Sequence, residues 1–489
     1  MTEKPPPEGP KSPPPPEPAP TYSATLPPAH SQIKLQPQDL PLNWAPAKKW
    51  SATLTAVFMT ATITLAASIH ASAARGVAAD FGCSATVATL GVTTYMLGFG
   101  VGPLLFAPLS EVWGRRLVFR ITLFAFWGLG VGCALAPNVE GLLVMRFLCG
   151  FFGAPVVTNS GGFLADIWPQ SQRSVPFALF TAGSSLGPVA APVAGGFIAQ
   201  YLTWRWHYWV VSIVCGVVYA LMLFLVPETY APVLLEWKMK KAGFPTVRKS
   251  FKEQYSTNLI RPWIMLFTEP ILFVLGLYSA FVWGLLYLDF TAYPFVYQQS
   301  RGWTEGMAGL SFLGIGLGMI MATASSPWIN DVHSAFVEKL GGPKPEARLP
   351  HLIIIAWFIP IALFWFGWSA NPPMHWAVSM AAGVPFGIGF VMLFLGTNAY
   401  LTDCYGHFSA SALAANAVLR SIFSAVFPLF ARQMYVQLGS PWASSVLGFI
   451  ALAMVPVPWL IYRYGPKLRS LSKYHLWTLE LERSSEEIA

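Results

Sequence analysis

The strongest constraint on this chain is a repeating one. Apolar runs of about 20 residues, the length of helix that crosses a bilayer, alternate with short blocks that hold the charge. The first run spans roughly Trp50 to Ala71, and others follow near 86–109, 118–136, 141–165, 175–201 and 207–227. A hydrophilic stretch from Glu228 to Arg261 interrupts the series. Six more runs then fit near 270–297, 306–325, 351–370, 376–400, 409–435 and 441–462. The pattern predicts an all-α integral membrane fold of twelve transmembrane helices in two six-helix halves. The expected segments are a tail over 1–46, a first half over 47–227, a linker over 228–265, a second half over 266–463 and a tail over 464–489. Charged residues make up 11% of the chain, against about 25% in an ordinary domain, and 54% is hydrophobic, which excludes a soluble globular protein.

The net charge is +8, and its placement argues for a membrane surface rather than nucleic acid. With the N-terminus inside, Arg115, Arg116 and Arg173 fall in loops on one side, followed by the basic set from Lys238 to Arg261 and by Lys339, Lys344 and Arg348. The other side keeps little beyond Arg75, Arg205 and Arg301. By the positive-inside bias, both termini are expected in the cytoplasm. The proline-rich start, PPPEGPKSPPPPEPAP, lacks apolar periodicity and is expected to be a disordered cytoplasmic tail, with a PxxP-binding partner as an alternative use. It is not expected to act as a signal peptide, because no short apolar core follows a basic start. LLEWKMKKAG reads as a basic amphipathic helix on the inner leaflet or as a solvated linker. Five cysteines show no metal-ligand spacing, and no metal or other cofactor is expected.

Several motifs carry more than span-forming information. GFGVGPLLFAPLSEVWGRR, from Gly98 to Arg116, begins as a glycine-rich apolar helix and ends in Glu111 and two arginines, with Gly114 permitting the turn into the next span. Its Ala107–Arg116 part resembles the signature between spans 2 and 3 of the major facilitator superfamily, with Ala107 and Glu111 where that family usually has Gly and Asp. In span 5, AGSSLGPVAAPVAGGF places Gly183, Gly187, Ala191 and Gly195 every four residues as a small-residue stripe for close helix approach. Pro188 and Pro192 permit a bend at mid-membrane. Gly187–Pro188 followed by Gly195–Gly196 is similar to the antiporter motif of the superfamily's exporters, which implies export over import. RFLCG, in span 4, resembles the family's RxxxG motif, whose arginine is implicated in proton transfer; the matching residue is Arg146. DIWPQSQR, WRWHYW, PETYAPVLL and ANAVLRSIFSAVFPLF are similar to the fungal twelve-span drug:proton antiporters. The resemblance covers about residues 45 to 465.

Charged groups inside apolar spans are candidates for function because they are costly there. Arg146 would cost of order 2–3 kcal/mol on insertion scales; Gly150, one turn below it, leaves room for a partner or substrate, and snorkelling to the headgroups is the alternative. Asp289, in span 7, is the one carboxylate well inside an apolar run. It stands two residues before Thr291, where relatives often have the acid, so it is either a displaced proton site or a polar group near the outer mouth. For Arg420, in span 11, three roles are open: pairing with a carboxylate, binding backbone carbonyls or attracting an anionic substrate. Asn159, Asn398 and Asn416, with Tyr95, Phe281, Trp283, Tyr287 and Tyr293, are candidates to line a central cavity suited to large amphipathic molecules.

GSSLG, from Gly183 to Gly187, matches the hydrolase GxSxG turn, but that turn needs a strand before it, and here it sits inside a membrane span. No GxxxxGK[ST] loop occurs, so the chain has no phosphate-binding loop with which to power transport by ATP. The resemblance implies a non-enzymatic, monomeric transporter whose partners are protons, a hydrophobic small molecule and the bilayer. It would export a drug, toxin or secondary metabolite across a fungal plasma membrane by rocking of its halves around a midplane site. The charges of the Glu111 loop are expected to pair with helix ends near Asp166 and lock the inward-closed state. Alternatives are proton-linked transport of a polyamine or nutrient, or a non-transporting receptor on the same fold.

Overall fold

The computed structural model describes residues 36, 39–169, 172–242, 251–342, 344–470, 472–474 and 476–478. The proline-rich stretch expected to be disordered lies outside these residues, as does 479–489. Six membrane-length helices form the first half: Pro46–Phe81, Ala85–Trp113, Arg115–Ala134, Val139–Ile167, Ser174–Tyr201 and Arg205–Leu225, here spans 1 to 6. The second half holds Pro270–Arg301, Glu305–Ala324, Pro345–Ser369 and Trp376–Tyr405 as spans 7 to 10. The next stretch, Ser409–Ser470, is 62 residues long. At 1.5 Å per residue that is about three bilayer cores, so it cannot be one crossing. It breaks at Gly439 (φ 71°, ψ 165°), just before Pro441, into span 11 (409–438) and span 12 (440–470). The fold is therefore all-α with twelve spans, as the apolar periodicity predicts. Span 1 runs ten residues past its expected end at Ala71, because the alanine-rich ASAARGVAAD continues as good helix until Gly82 closes it with φ 64°.

An even number of crossings puts both ends of the bundle on one face, here called the termini face; the opposite end is the far face. Between the halves, helices Ala231–Lys241 and Phe251–Thr268 occupy the linker. Lys238 Nζ donates to Asp39 Oδ2 at 2.5 Å, tying the linker to the segment before span 1 and holding the Asp39 carboxyl below its usual range.

Close helix contact is built the same way in both halves. A Cβ on Gly150 of span 4 would sit 1.9 Å from the Tyr95 carbonyl of span 2, and one on Gly98 would sit 2.1 Å from the Phe147 carbonyl. Spans 8 and 10 repeat the device: Gly314 faces the Met380 carbonyl at 2.0 Å and Gly387 faces that of Ile315 at 2.2 Å. These pairs let backbones touch where no side chain fits, which is how helices associate in lipid. The outward faces carry large apolar side chains such as Phe58, Phe124, Phe224 and Phe449.

The halves meet toward the far face. Span 5 packs on span 8, where Gly309 abuts the Pro192 carbonyl and Gly196 that of Glu305. Thr93 Oγ1 of span 2 donates to the Ala425 carbonyl of span 11 at 2.6 Å. Arg75 donates to Glu305 at 3.0 Å and to Gln298 at 2.5 Å, and the Gly306 amide donates to Gln200 at 3.1 Å.

Candidate functional site

On the termini face, the turn between spans 2 and 3 is organised by a carboxylate that the sequence reading passed over. Glu228, directly after span 6, is buried and accepts from four backbone amides: Arg115 at 2.9 Å and Arg116, Thr229 and Tyr230 at 3.0 Å. It thereby caps the N-terminus of span 3, where unpaired amides and the helix dipole both favour an anion. Gly114 is required twice over: its φ is 93°, and a Cβ there would stand 2.3 Å from Glu228 Oε2. Arg115 Nε lies 3.5 Å from Asp166 Oδ2, the pairing expected of this loop, and Arg115 Nη1 donates to Ser110 Oγ at 2.8 Å. Thr229 Oγ1 donates to Asp166 at 3.0 Å, and Arg116 Nη2 to the Leu223 carbonyl at 3.1 Å. Glu111 stands on the exposed side of span 2. The Arg115, Arg116 and Glu228 bonds fasten spans 2, 3, 4 and 6 of one half to each other. Asn159, expected along a central cavity, belongs to this region instead: it is buried, with its Oδ1 3.4 Å from Ser110 Oγ.

The span 5 stripe lies against span 1. Gly183 faces Val57, Gly187 faces Thr64 and the Ala61 carbonyl, and Gly195 faces Ser72, each too close for a Cβ. Ser68 Oγ donates to the Pro188 carbonyl at 3.0 Å, and His207 Nε2 reaches the Gly195 carbonyl at 2.9 Å. With Pro192 and Gly196 against span 8, the motif touches both halves at once.

Arg146 is 2% exposed and does not snorkel. Its Nε donates to the Gly91 carbonyl at 2.9 Å, Nη1 to Ala66 at 2.9 Å and Nη2 to Ala67 at 3.2 Å, so each guanidinium nitrogen is used. The Tyr95 ring lies 4.3 Å below the charge. Gly150 admits span 2 there, not a substrate. Beside this arginine, His70 Nε2 faces the Ala88 carbonyl at 2.7 Å and Nδ1 contacts the Tyr208 hydroxyl. A carbonyl only accepts, so Nε2 carries the proton and Nδ1 accepts from Tyr208. Neither His70 nor Tyr208 stood out in the sequence; the signal was a histidine alone in an apolar span.

The second half differs. Asp289 is 2% exposed, its Oδ2 has no hydrogen-bond partner, and no cation pairs with it among the described residues. Arg420 has no carboxylate partner and no backbone acceptor among the described residues; its Nε is sealed from solvent and unpartnered. Only aromatic faces hold the charge, Trp283 at 4.7 Å and Phe394 at 4.8 Å. One turn nearer the termini face, Asn416 Nδ2 donates to Asn398 Oδ1 at 3.0 Å and joins spans 10 and 11. Of the aromatic candidates for a cavity wall, Tyr95, Phe281, Tyr287 and Tyr293 are buried in helix contacts; Trp283 alone stays partly exposed. A separate cleft of about 510 Å³ opens at the far face beside Arg75, Asp80, Arg205 and Glu305.

Two six-helix halves, with glycine-mediated contacts within each and ionisable groups buried in both, define the architecture of a polytopic membrane protein. The sequence pattern of the Major Facilitator Superfamily matches residues 54–428, and the chain belongs to that family, which makes it a transporter rather than an enzyme. An Aspergillus fumigatus protein named major facilitator superfamily multidrug transporter mdrA is 45% identical over 447 residues, covering 89% of this chain and 74% of that protein. A Trichophyton rubrum protein named MFS-type efflux pump MFS2 is 43% identical over 448 residues, covering 89% and 75%. Among solved structures, the proton:xylose symporter XylE superposes with a TM-score of 0.61 over 86% of this chain and 96% of its own, at 17% identity, a likeness of fold alone.

Proposed function

We propose that this chain is a proton-coupled antiporter that exports hydrophobic small molecules, among them drugs, toxins or a secondary metabolite, across a fungal plasma membrane. Similarity to relatives named multidrug transporter and efflux pump supports the direction, and the span 5 motif of Gly183, Gly187, Pro188, Pro192, Gly195 and Gly196 accords with it. The single observation that carries proton coupling is Asp289, a buried carboxylate with an unpartnered oxygen in a membrane span. A carboxyl group in such a place can carry a proton, and exchanging that proton requires access to water. Alternating access supplies that access, first on one side and then on the other.

In this reading the termini face is cytoplasmic, placing the basic loops on the positive-inside side. Contact between spans 5 and 8 and the Arg75–Glu305 tie then join the halves on the outer side. Proton entry at Asp289 from outside and its release inside drive the cycle, and Arg146 braces spans 1, 2 and 4 as the first half moves. The chain works as a monomer.

Accumulation of a panel holding lipophilic drugs, a polyamine and a sugar, measured in a host without its own pumps, tests the reading. Expected is lower drug accumulation that a protonophore abolishes and that Asp289→Asn abolishes too. Unchanged drug levels with raised uptake of the polyamine or sugar would make this an importer.

A further inference from the structure

Arg420 is a cation with no carboxylate partner among the described residues. On span 11 the lipid side is marked by exposed Ile422 and Val426. At 100° per residue Arg420 stands opposite them, so its accessible part opens into the bundle rather than onto lipid. Around it, Trp283, Phe394 and Asn398 are also partly exposed, although helices surround them. The guanidinium lies against two rings that hold its plane but take none of its hydrogen bonds. Three buried polar atoms near it are unpartnered: Arg420 Nε itself, Trp283 Nε1 and, one turn on, Ser424 Oγ. All three can donate. Asp289 does not answer the charge, being six residues further along span 7 than Trp283, about 9 Å of rise.

Buried donors without acceptors, beside a planar cation that no carboxylate side chain pairs with among the described residues, are together the complement of a carboxylate. Next to them Trp283 packs on Phe390 at 5.0 Å and on Phe394 at 5.5 Å, an aromatic wall for an apolar body. We propose that the substrates are amphipathic organic anions, an aromatic or alkyl body bearing a carboxylate that Arg420 binds between spans 7, 10 and 11. The inference rests on the export reading for what binding leads to, and on the geometry of Arg420 for the chemistry. It disfavours polyamines, which the guanidinium repels.

The test uses full-length protein in lipid nanodiscs and three probes with one ring system and different heads: 1-naphthylacetate, 1-naphthylacetamide and 1-naphthylmethylamine. Binding is read by tryptophan quenching at pH 7.5, with empty nanodiscs correcting for partition. In the parent protein the acetate should bind at least about tenfold tighter than the amide, the scale of a charge-assisted pair, and the amine weakest. Arg420→Gln should erase the acetate preference while leaving the amide within about twofold, and Arg420→Lys should fall between. Equal affinities, a reversed order, no saturable binding of the acetate, or a preference that survives Arg420→Gln would each overturn the proposal. The head-group preference of the parent protein decides the matter even if a variant fails to fold. Measured at one fixed pH and without a gradient, a binding preference reports neither transport direction nor proton coupling, so it stands or falls apart from the accumulation experiment.

Discussion

The two halves treat a buried arginine in opposite ways. In the first half Arg146 spends Nε, Nη1 and Nη2 on three carbonyls of spans 1 and 2. In the second, Arg420 rests on two rings with Nε unpartnered. The carboxylates repeat the contrast: Asp166 and Glu228 are hydrogen-bonded, and Asp289 Oδ2 is not. Satisfied groups are struts, because moving them breaks bonds already made. Unsatisfied groups keep their free energy for a ligand or a proton. On the proposals above the first half serves as the brace and the second as the half that binds, although both use the same termini-face device. Arg115 at the start of span 3 pairs with Asp166 at the end of span 4, and Arg348 at the start of span 9 pairs with Asp403 at the end of span 10 at 2.9 Å.

The largest expected effect tests that contrast directly. Arg146→Ala should lower stability by about 3 kcal/mol or more, since three charge-assisted bonds between helices vanish together. Arg420→Gln should stay within about 1 kcal/mol, because it removes no hydrogen bond between protein groups. Thermal melting of both variants in nanodiscs checks this, and equal losses would break the comparison. A second test concerns what the halves share. Gly150→Ala and Gly387→Ala should each cost about 2 kcal/mol, because each new methyl meets a backbone carbonyl that cannot move aside. A large difference between them would mean that one half relaxes where the other does not. Third, Asp289→Asn should leave melting unchanged or raise it, as a neutral isostere replaces an unpartnered buried acid. Gradient-driven export should fall about tenfold or more while equilibrium binding of the naphthyl probes persists. Loss of binding as well would make Asp289 part of the ligand site rather than a proton carrier.

Much of the architecture was legible in the sequence because lipid enforces it. The apolar runs and the small-residue stripe of span 5 follow from local composition, and the structure packs that stripe on a neighbouring helix, span 1. Partnership across distance was not legible. PETYAPVLL was noticed as a stretch, yet nothing local says that Glu228 caps a helix 113 residues earlier. Asn159 and Tyr95 look like cavity residues by type, and only packing shows Asn159 beside Ser110 and Tyr95 beneath Arg146. Similarly, Arg146 and Arg420 are equivalent as letters in apolar runs; the carbonyls near one and their absence near the other emerge only when helices are placed side by side.

The smallest effect belongs to the tie between the halves. Arg75 and Glu305 pair at 3.0 Å, with side chains 68% and 28% exposed, so water screens most of the attraction and the pair is worth at most about 1 kcal/mol. If it holds the far face shut, breaking it raises the open fraction by up to about fivefold, and salt does part of the same. The measurable quantity is the rate at which a membrane-impermeant maleimide labels Thr93→Cys, a buried position where spans 2 and 11 meet, in a Cys83→Ser background. Arg75 also donates to Gln298 at 2.5 Å, whereas Glu305 receives one bond from Arg75. Removing Arg75 therefore breaks two links to the second half and removing the Glu305 charge weakens one, so Arg75→Ala should accelerate labelling more than Glu305→Gln. The reverse order would mean that closure of the far face rests on the charge of Glu305 rather than on the number of bonds that Arg75 makes to the second half.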